Sequence, residues 1–123
     1  MAIPKYQEML TPIMQLSLDT NEFSLKFLIQ FLADLYHLTQ EERELKIPKR
    51  QNLVFNNRVG WACTYLKKTG FLSTPRRGWY CITERGKNYM TNFKEVMLDK
   101  LKEIDEFKEF ITPRYLSGLK KIV

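Results

Sequence analysis

The side chains with the clearest chemical potential lie between Lys46 and Lys87, a stretch that holds ten basic residues and one acid, Glu84. Within it Lys49 and Arg50, Lys67 and Lys68, and Arg76 and Arg77 form adjacent pairs. Such a run of positive charge attracts a polyanion, and each phosphate it neutralises releases a condensed counterion. Asn56, Asn57 and Thr64 stand among these cations. An asparagine amide can pair bidentately with an adenine edge, and lysine or arginine can address guanine or phosphate. The chemistry on offer is non-covalent recognition of nucleic acid. The charge is local: residues 1–45 carry three basic and seven acidic residues, and residues 88–123 carry seven and six, so the net +6 comes from the middle third. A basic stretch can also be no more than a solvated face, so the elements that carry these residues must decide.

Periodicity supplies those elements. Tyr6, Met9, Leu10, Ile13 and Met14 predict a first helix over about 5–17, with Pro12 kinking it or moving its start to a Thr11 N-cap. Ser24 caps a second helix, with Leu25, Leu28, Leu32 and Leu35 at helical spacing. Thr39-Gln40-Glu41-Glu42 has the form of a capping box for a short third helix that ends before Pro48. After the polar connector Pro48–Asn52, Asn52 caps a fourth helix over about 53–69, closed by Gly70 in a left-handed C-cap. On that helix Phe55, Val59, Ala62 and Leu66 form a core stripe. The opposite face presents Asn57, Gly60, Thr64 and Lys68, with Asn56, Lys67 and Trp61 on its shoulders. Arg58 lies nearer the core stripe, where phosphate contact and an internal hydrogen bond are both open to it. Trp61 reads as the edge of the core.

Phe71–Ser73 and Trp79–Ile82 read as strands around the turn Thr74–Gly78, whose tip carries Arg76 and Arg77. Trp79 and Tyr80 point to opposite faces, so at least one belongs to the core. Thr83 caps a further helix, which Met90, Phe93, Met97, Leu101 and Ile104 extend to about residue 111. The fold class is mainly α (α+β): a winged helix-turn-helix with a small β-hairpin wing and a long C-terminal helix.

Catalysis is hard to assemble from this chain. His37 is the only histidine and sits at a helix end, where a surface or capping role is commoner than ligation. There are no paired carboxylates in an evident cleft and no glycine-rich phosphate loop, and neither cofactor nor metal is implied. Cys63 and Cys81 lack zinc spacing and read as reduced, buried thiols. No apolar run approaches membrane-spanning length and the N-terminus lacks a secretory pattern, so a cytoplasmic protein is expected.

Several segments are specific enough to resemble a family. Ile3-Pro4-Lys5-Tyr6, Leu38-Thr39 with Glu41-Glu42-Arg43, and Asn57-Arg58-Val59-Gly60-Trp61-Ala62 followed by Leu66-Lys67-Lys68-Thr69-Gly70 look like the N-terminal domain of Mrr-type restriction proteins. Ser73-Thr74-Pro75-Arg76-Arg77-Gly78 and Ile82-Thr83-Glu84-Arg85-Gly86 complete the likeness, which spans about residues 3–90. The chain departs from the family in the connector, where Pro48-Lys49-Arg50 replaces a usual Ser-Gly pair. The resemblance implies a DNA-binding winged helix that usually precedes a nuclease domain cleaving modified DNA. By the same resemblance, Asn56, Asn57 and Arg58 open the recognition helix, Thr64, Lys67 and Lys68 lie further along it, and Arg76 and Arg77 sit at the wing tip. The acid and acid-x-Lys pair of such a nuclease are not evident; Glu106-Phe107-Lys108 has the tripeptide form but falls in a helical pattern.

The expectation is therefore a winged-helix domain over residues 1–90 and a helical extension over 91–123. It binds double-stranded DNA through Lys49, Arg50, Asn56, Asn57, Arg58, Thr64, Lys67, Lys68, Arg76 and Arg77, without catalysis of its own. A nuclease domain in a longer protein is a compatible partner, and the extension is open to packing, linking or homodimerisation through the 84–111 helix. Two alternatives keep the fold: a dimeric transcriptional regulator and a protein-interaction winged helix.

Overall fold

A computed structural model describes residues 3–97 and residue 101. The first helix, α1 (Tyr6–Asp19), runs unbroken through Pro12 and starts at Lys5, not at a Thr11 cap. Glu8 closes its first turn: its carboxylate accepts from the Lys5 backbone N–H at 2.7 Å. Of the periodic set expected, Met9, Leu10, Ile13 and Met14 are buried and Tyr6 is half-buried. Next come β1 (Phe23–Ser24) and α2 (Leu25–Leu35). The Ser24 hydroxyl accepts from the Phe27 N–H at 3.0 Å, which satisfies one of the helix's orphan donors. On α2, Leu28 and Leu32 are buried, whereas Leu35 is exposed. The helix ends in a Schellman turn on His37 (φ 53°), with Leu38 N–H bonded to the Ala33 carbonyl. The lone histidine is thus an exposed capping residue.

Thr39 and Glu42 exchange the two bonds of a capping box at the start of α3 (Gln40–Glu44). The connector is more ordered than its polarity suggested. Lys46 and Leu53 form an antiparallel bridge, and Ile47 N–H bonds to the Asn52 carbonyl at 2.9 Å. Between them Ile47 to Arg50 makes a turn with Pro48 second and Lys49 third. Lys49 is held at φ 65°, a position where glycine meets no steric cost. This closure moves the start of α4 (Val54–Lys68) one residue on: Leu53 is the N-cap and makes no side-chain cap, so the expected Asn52 cap does not form. Gly70 (φ 83°) ends α4 as expected, with Phe71 N–H on the Leu66 carbonyl.

The chain then forms the hairpin β2 (Leu72–Ser73) and β3 (Trp79–Ile82). A third strand, not foreseen, completes the sheet: β1 pairs antiparallel with β3, Phe23 opposite Tyr80, giving the order β1-β3-β2. Two residues carry too little local signal to be read as a strand; the pairing across the chain creates it. Thr83 caps α5 (Glu84–Phe93), accepting from Gly86 N–H at 3.0 Å.

The long C-terminal helix is corrected. α5 stops at Phe93, Lys94 turns left-handed at φ 62°, and residues 94–97 are not helical. The cause is tertiary. Thr11 Oγ1 accepts from Val96 N–H at 2.9 Å and donates to the Val96 carbonyl at 3.3 Å, while the Val96 side chain is buried. Residues 98–100 and 102–111 of the expected helix lie outside the described residues.

The architecture is α+β, mainly helical with a three-stranded antiparallel sheet, in the chain order that a winged helix-turn-helix requires. Phe55, Val59, Ala62, Cys63 and Leu66 of α4 are all buried, packed chiefly against α1. Burying a side chain of the size of Phe55 or Leu66 contributes about 2–3 kcal/mol each. That energy locks α4 in rotation and leaves its polar face outward.

Candidate nucleic-acid interface

The outward face of α4 is set by the rotation its core stripe imposes. Asn56 and Asn57 lie in its first turn and Thr64 farther along, all half-buried; Lys67 and Lys68 end it, exposed. Cations in the last turn suit the helix dipole, while the first turn holds no acid and leaves the positive end of the dipole uncompensated. Lys49 and Arg50 are exposed in the turn before α4, and Arg77 is exposed on the hairpin after it. Among the described residues, the side chains of Lys49, Arg50, Lys67 and Arg77 make no ion pair or hydrogen bond. Their charge is uncompensated by the fold.

Three of the expected contact residues, Arg58, Arg76 and Thr64, have partners within the fold. Arg58 Nη1 donates to the carbonyls of Ile3 at 3.0 Å and Pro4 at 3.3 Å. Arg58 thus makes the internal hydrogen bond that the sequence left open to it, tying the N-terminal segment to α4. Arg76 is more exposed but not unoccupied. Its guanidinium bonds to Glu22 Oε1 at 3.0 Å and stacks 4.2 Å from the centroid of Trp79. Glu22 precedes β1, so the strand that the sequence did not reveal also brings an acid to the wing. Thr64 is committed in part: its hydroxyl donates to the Gly60 carbonyl at 3.0 Å.

Trp79 and Tyr80 divide as a strand dictates. Trp79 lies under Arg76, while the ring of Tyr80 stacks on Phe23 at 6.0 Å and packs against the core. Burial raises the Tyr80 pKa, so its phenol stays protonated at neutral pH. Between α4 and β3 lies an open hollow of roughly 480 Å³, lined by Asn57, Gly60, Trp61, Thr64 and Tyr80. Trp61 meets Tyr65 edge-on at 6.1 Å and is half-buried, so it is both an edge of the core and a wall of the hollow. The contribution of Tyr80 to this surface was not anticipated, because strand facing depends on the sheet register.

Among the described residues no three His, Cys, Asp or Glu side chains converge on a metal position. Cys63 and Cys81 are free thiols; Cys63 is buried, and Cys81 Sγ lies 3.0 Å from Ser73 Oγ. Among the described residues no helix is long and apolar enough to cross a membrane.

By class this is a mainly helical α+β domain with a small antiparallel sheet and a basic outer face. The chain belongs to the Mrr N-terminal domain family, whose model matches residues 6–92. It is 27% identical over 101 residues to the type IV methyl-directed restriction enzyme EcoKMrr of Escherichia coli (strain K12). That alignment covers 81% of this chain and 33% of the relative, so the chain spans about a third of that protein's length. No solved structure matches the chain.

Proposed function

We propose that this chain is a winged-helix module that binds double-stranded DNA and has no catalytic activity of its own. α4 enters the major groove with Asn56, Asn57, Thr64, Lys67 and Lys68 toward base edges and phosphates. The β2–β3 hairpin carries Arg76 and Arg77 to the adjacent backbone or minor groove, and Lys49 and Arg50 hold phosphates ahead of the helix. The observation that carries this reading is the set of four uncompensated cations, Lys49, Arg50, Lys67 and Arg77, at the two ends of α4 and on the hairpin. Family membership supports it, since the relative is a methyl-directed restriction enzyme. In that setting the module selects DNA by its modification state for a nuclease domain carried elsewhere, and it works in the cytoplasm alongside the DNA.

The regulator alternative invoked dimerisation through an 84–111 helix, whereas α5 ends at Phe93 with Lys94 at φ 62°. The proposal is tested by titrating a fluorescent duplex at several salt concentrations. If six phosphates are neutralised, the log–log slope of affinity against salt is about −5. Weak binding that ignores salt would overturn it. Parallel titrations with methylated and unmethylated duplexes read the modification preference.

A further inference from the structure

We propose that the hollow between α4 and β3 seats one sugar-phosphate unit of a bound DNA strand, and that Gly60 is the residue that lets it approach the helix. The inference rests on the DNA-binding reading above.

It starts from a glycine for which the fold has no use. Gly70 and Gly78 sit at φ 83° and 78°, where side chains are strained, and a Cβ on Gly86 would meet the Phe71 carbonyl oxygen at 2.5 Å. Each of these three is demanded internally. Gly60 is different: it is helical, it lies inside α4, and a Cβ there would meet nothing within 4 Å. Glycine is the poorest helix former after proline, so the domain carries a destabilising residue where alanine would fit. The bare backbone faces the hollow, flanked by Asn57, Trp61 and Thr64 on α4 and by Tyr80 on β3.

The lining describes the occupant. Among the described residues it holds no cation, which disfavours a bare anion taken by charge alone. The Asn57 amide and the protonated Tyr80 phenol are neutral donors; the Thr64 hydroxyl already donates to Gly60, so Thr64 offers its methyl group, and Trp61 offers ring surface. Neutral donors beside apolar surface suit a deoxyribose with its phosphate oxygens. Placement agrees. If α4 fills the major groove and the hairpin reaches the neighbouring minor groove, the strand dividing the two grooves must pass between them, across this hollow. Lys67 and Lys68 on the same helix supply the longer-range attraction that brings it there.

The test is Gly60→Ala, studied by thermal unfolding and by titration with a mixed-sequence duplex. The variant should melt about 4 °C higher or more, because alanine is the better helix former. It should nevertheless bind about tenfold more weakly. Its salt slope should stay unchanged, since no cation has been removed. A scan of single methylphosphonate linkages across the duplex should find one position where the wild type loses affinity and Gly60→Ala loses no more, the signature of a shared contact. A variant that binds as tightly as a wild type with a steep salt dependence overturns this proposal alone. A loss confined to a selected sequence and missing from mixed duplexes also overturns it, and assigns the hollow to a base edge. A wild type that does not bind duplex at all overturns the DNA-binding reading and this inference with it.

Discussion

The Tyr36 hydroxyl donates to the Glu8 carbonyl at 3.0 Å, and this is the acceptor that Pro12, four residues on and without an N–H, cannot serve. A proline this far inside a helix ordinarily breaks it, partly because a backbone carbonyl is orphaned. Here α2 closes the gap left in α1, and the helix runs through. Tyr36→Phe should therefore cost about 1 kcal/mol in urea unfolding. In a Pro12→Ala background, which restores the helical N–H, the same substitution should cost clearly less. Equal costs in both backgrounds would show that the hydroxyl has no such role.

Gly86 is where α5 and the sheet touch most closely. An added Cβ would lie 2.5 Å from the Phe71 carbonyl oxygen and 2.9 Å from Ile82 Cγ1. The backbone oxygen cannot swing aside as a side chain could, since it also accepts from Thr83 N–H at 3.0 Å. Gly86→Ala should lower stability by about 2–3 kcal/mol, the scale of overpacking a close contact. Chemical denaturation measures it, and a loss under about 0.5 kcal/mol, typical of an unconstrained surface site, would contradict it.

What could be read from the sequence was what the chain decides within a few residues. The capping residues Ser24, Thr39 and Thr83, the Gly70 terminus and the core stripe of α4 all depend on spacings of one helical turn, and all are present. What the sequence did not reveal has a different origin. Glu22 reaches Arg76 across 54 residues, Arg58 reaches Ile3 across 55, and Thr11 captures Val96 across 85. β1 exists only because β3 pairs with it. Asn52 lost its capping role to a backbone bridge closing the connector. Each depends on tertiary placement, which overrides local propensity without leaving a trace in composition. The candidate site was legible to the extent that α4 builds it, and illegible where the sheet does.

Arg58 and Lys67 should separate under substitution, although both are cations on α4. Arg58→Met removes the donor that the Ile3 and Pro4 carbonyls share. It should lower stability by about 1–2 kcal/mol and leave the salt slope of DNA binding in place. Lys67→Met and Arg77→Met should leave stability within about 0.5 kcal/mol and flatten the slope by about 0.9 each. A flattened slope for Arg58→Met would place it on the contact surface.

On the proposed DNA-binding reading, Glu22 competes with DNA for Arg76. The pair is largely exposed, with the arginine side chain at 60% and the glutamate at 38% relative exposure, so it contributes about 0.5 kcal/mol or less to folding. Its carboxylate nonetheless offsets one of the wing's two positive charges. Glu22→Gln should keep the melting temperature and raise duplex affinity about two- to fivefold at low salt, with a steeper salt dependence. Trp79, stacked beneath the guanidinium at 4.2 Å, would still hold Arg76 in place. Unchanged affinity would mean that Arg76 does not meet DNA.

Alkaline pH should find the core through Cys63. Burial pushes its thiol up to about 12 from an ordinary 9.0, and burial pushes Tyr6 up to about 12 from 10.0, with its bond to Tyr65 adding to the shift. Both groups are neutral when folded and ionise earlier when unfolded. The sign follows: their contribution to stability is complete about a unit or more below pH 9, before the unfolded thiol begins to titrate. It drains away between about pH 9 and 12, first through Cys63 and then through Tyr6. A Cys63→Ala variant should lose stability outright from the cavity, so the diagnostic is its flatter dependence on pH between 9 and 10, before Tyr6 enters. The same burial protects the thiol from chemistry, because the thiolate is the reactive form. At pH 8 a thiol reagent should label half-buried Cys81 first and reach Cys63 only as the domain unfolds, with peptide mass spectrometry recording the order. Labelling of Cys63 as fast as Cys81 in the folded protein would mean that α4 does not hold it in the core.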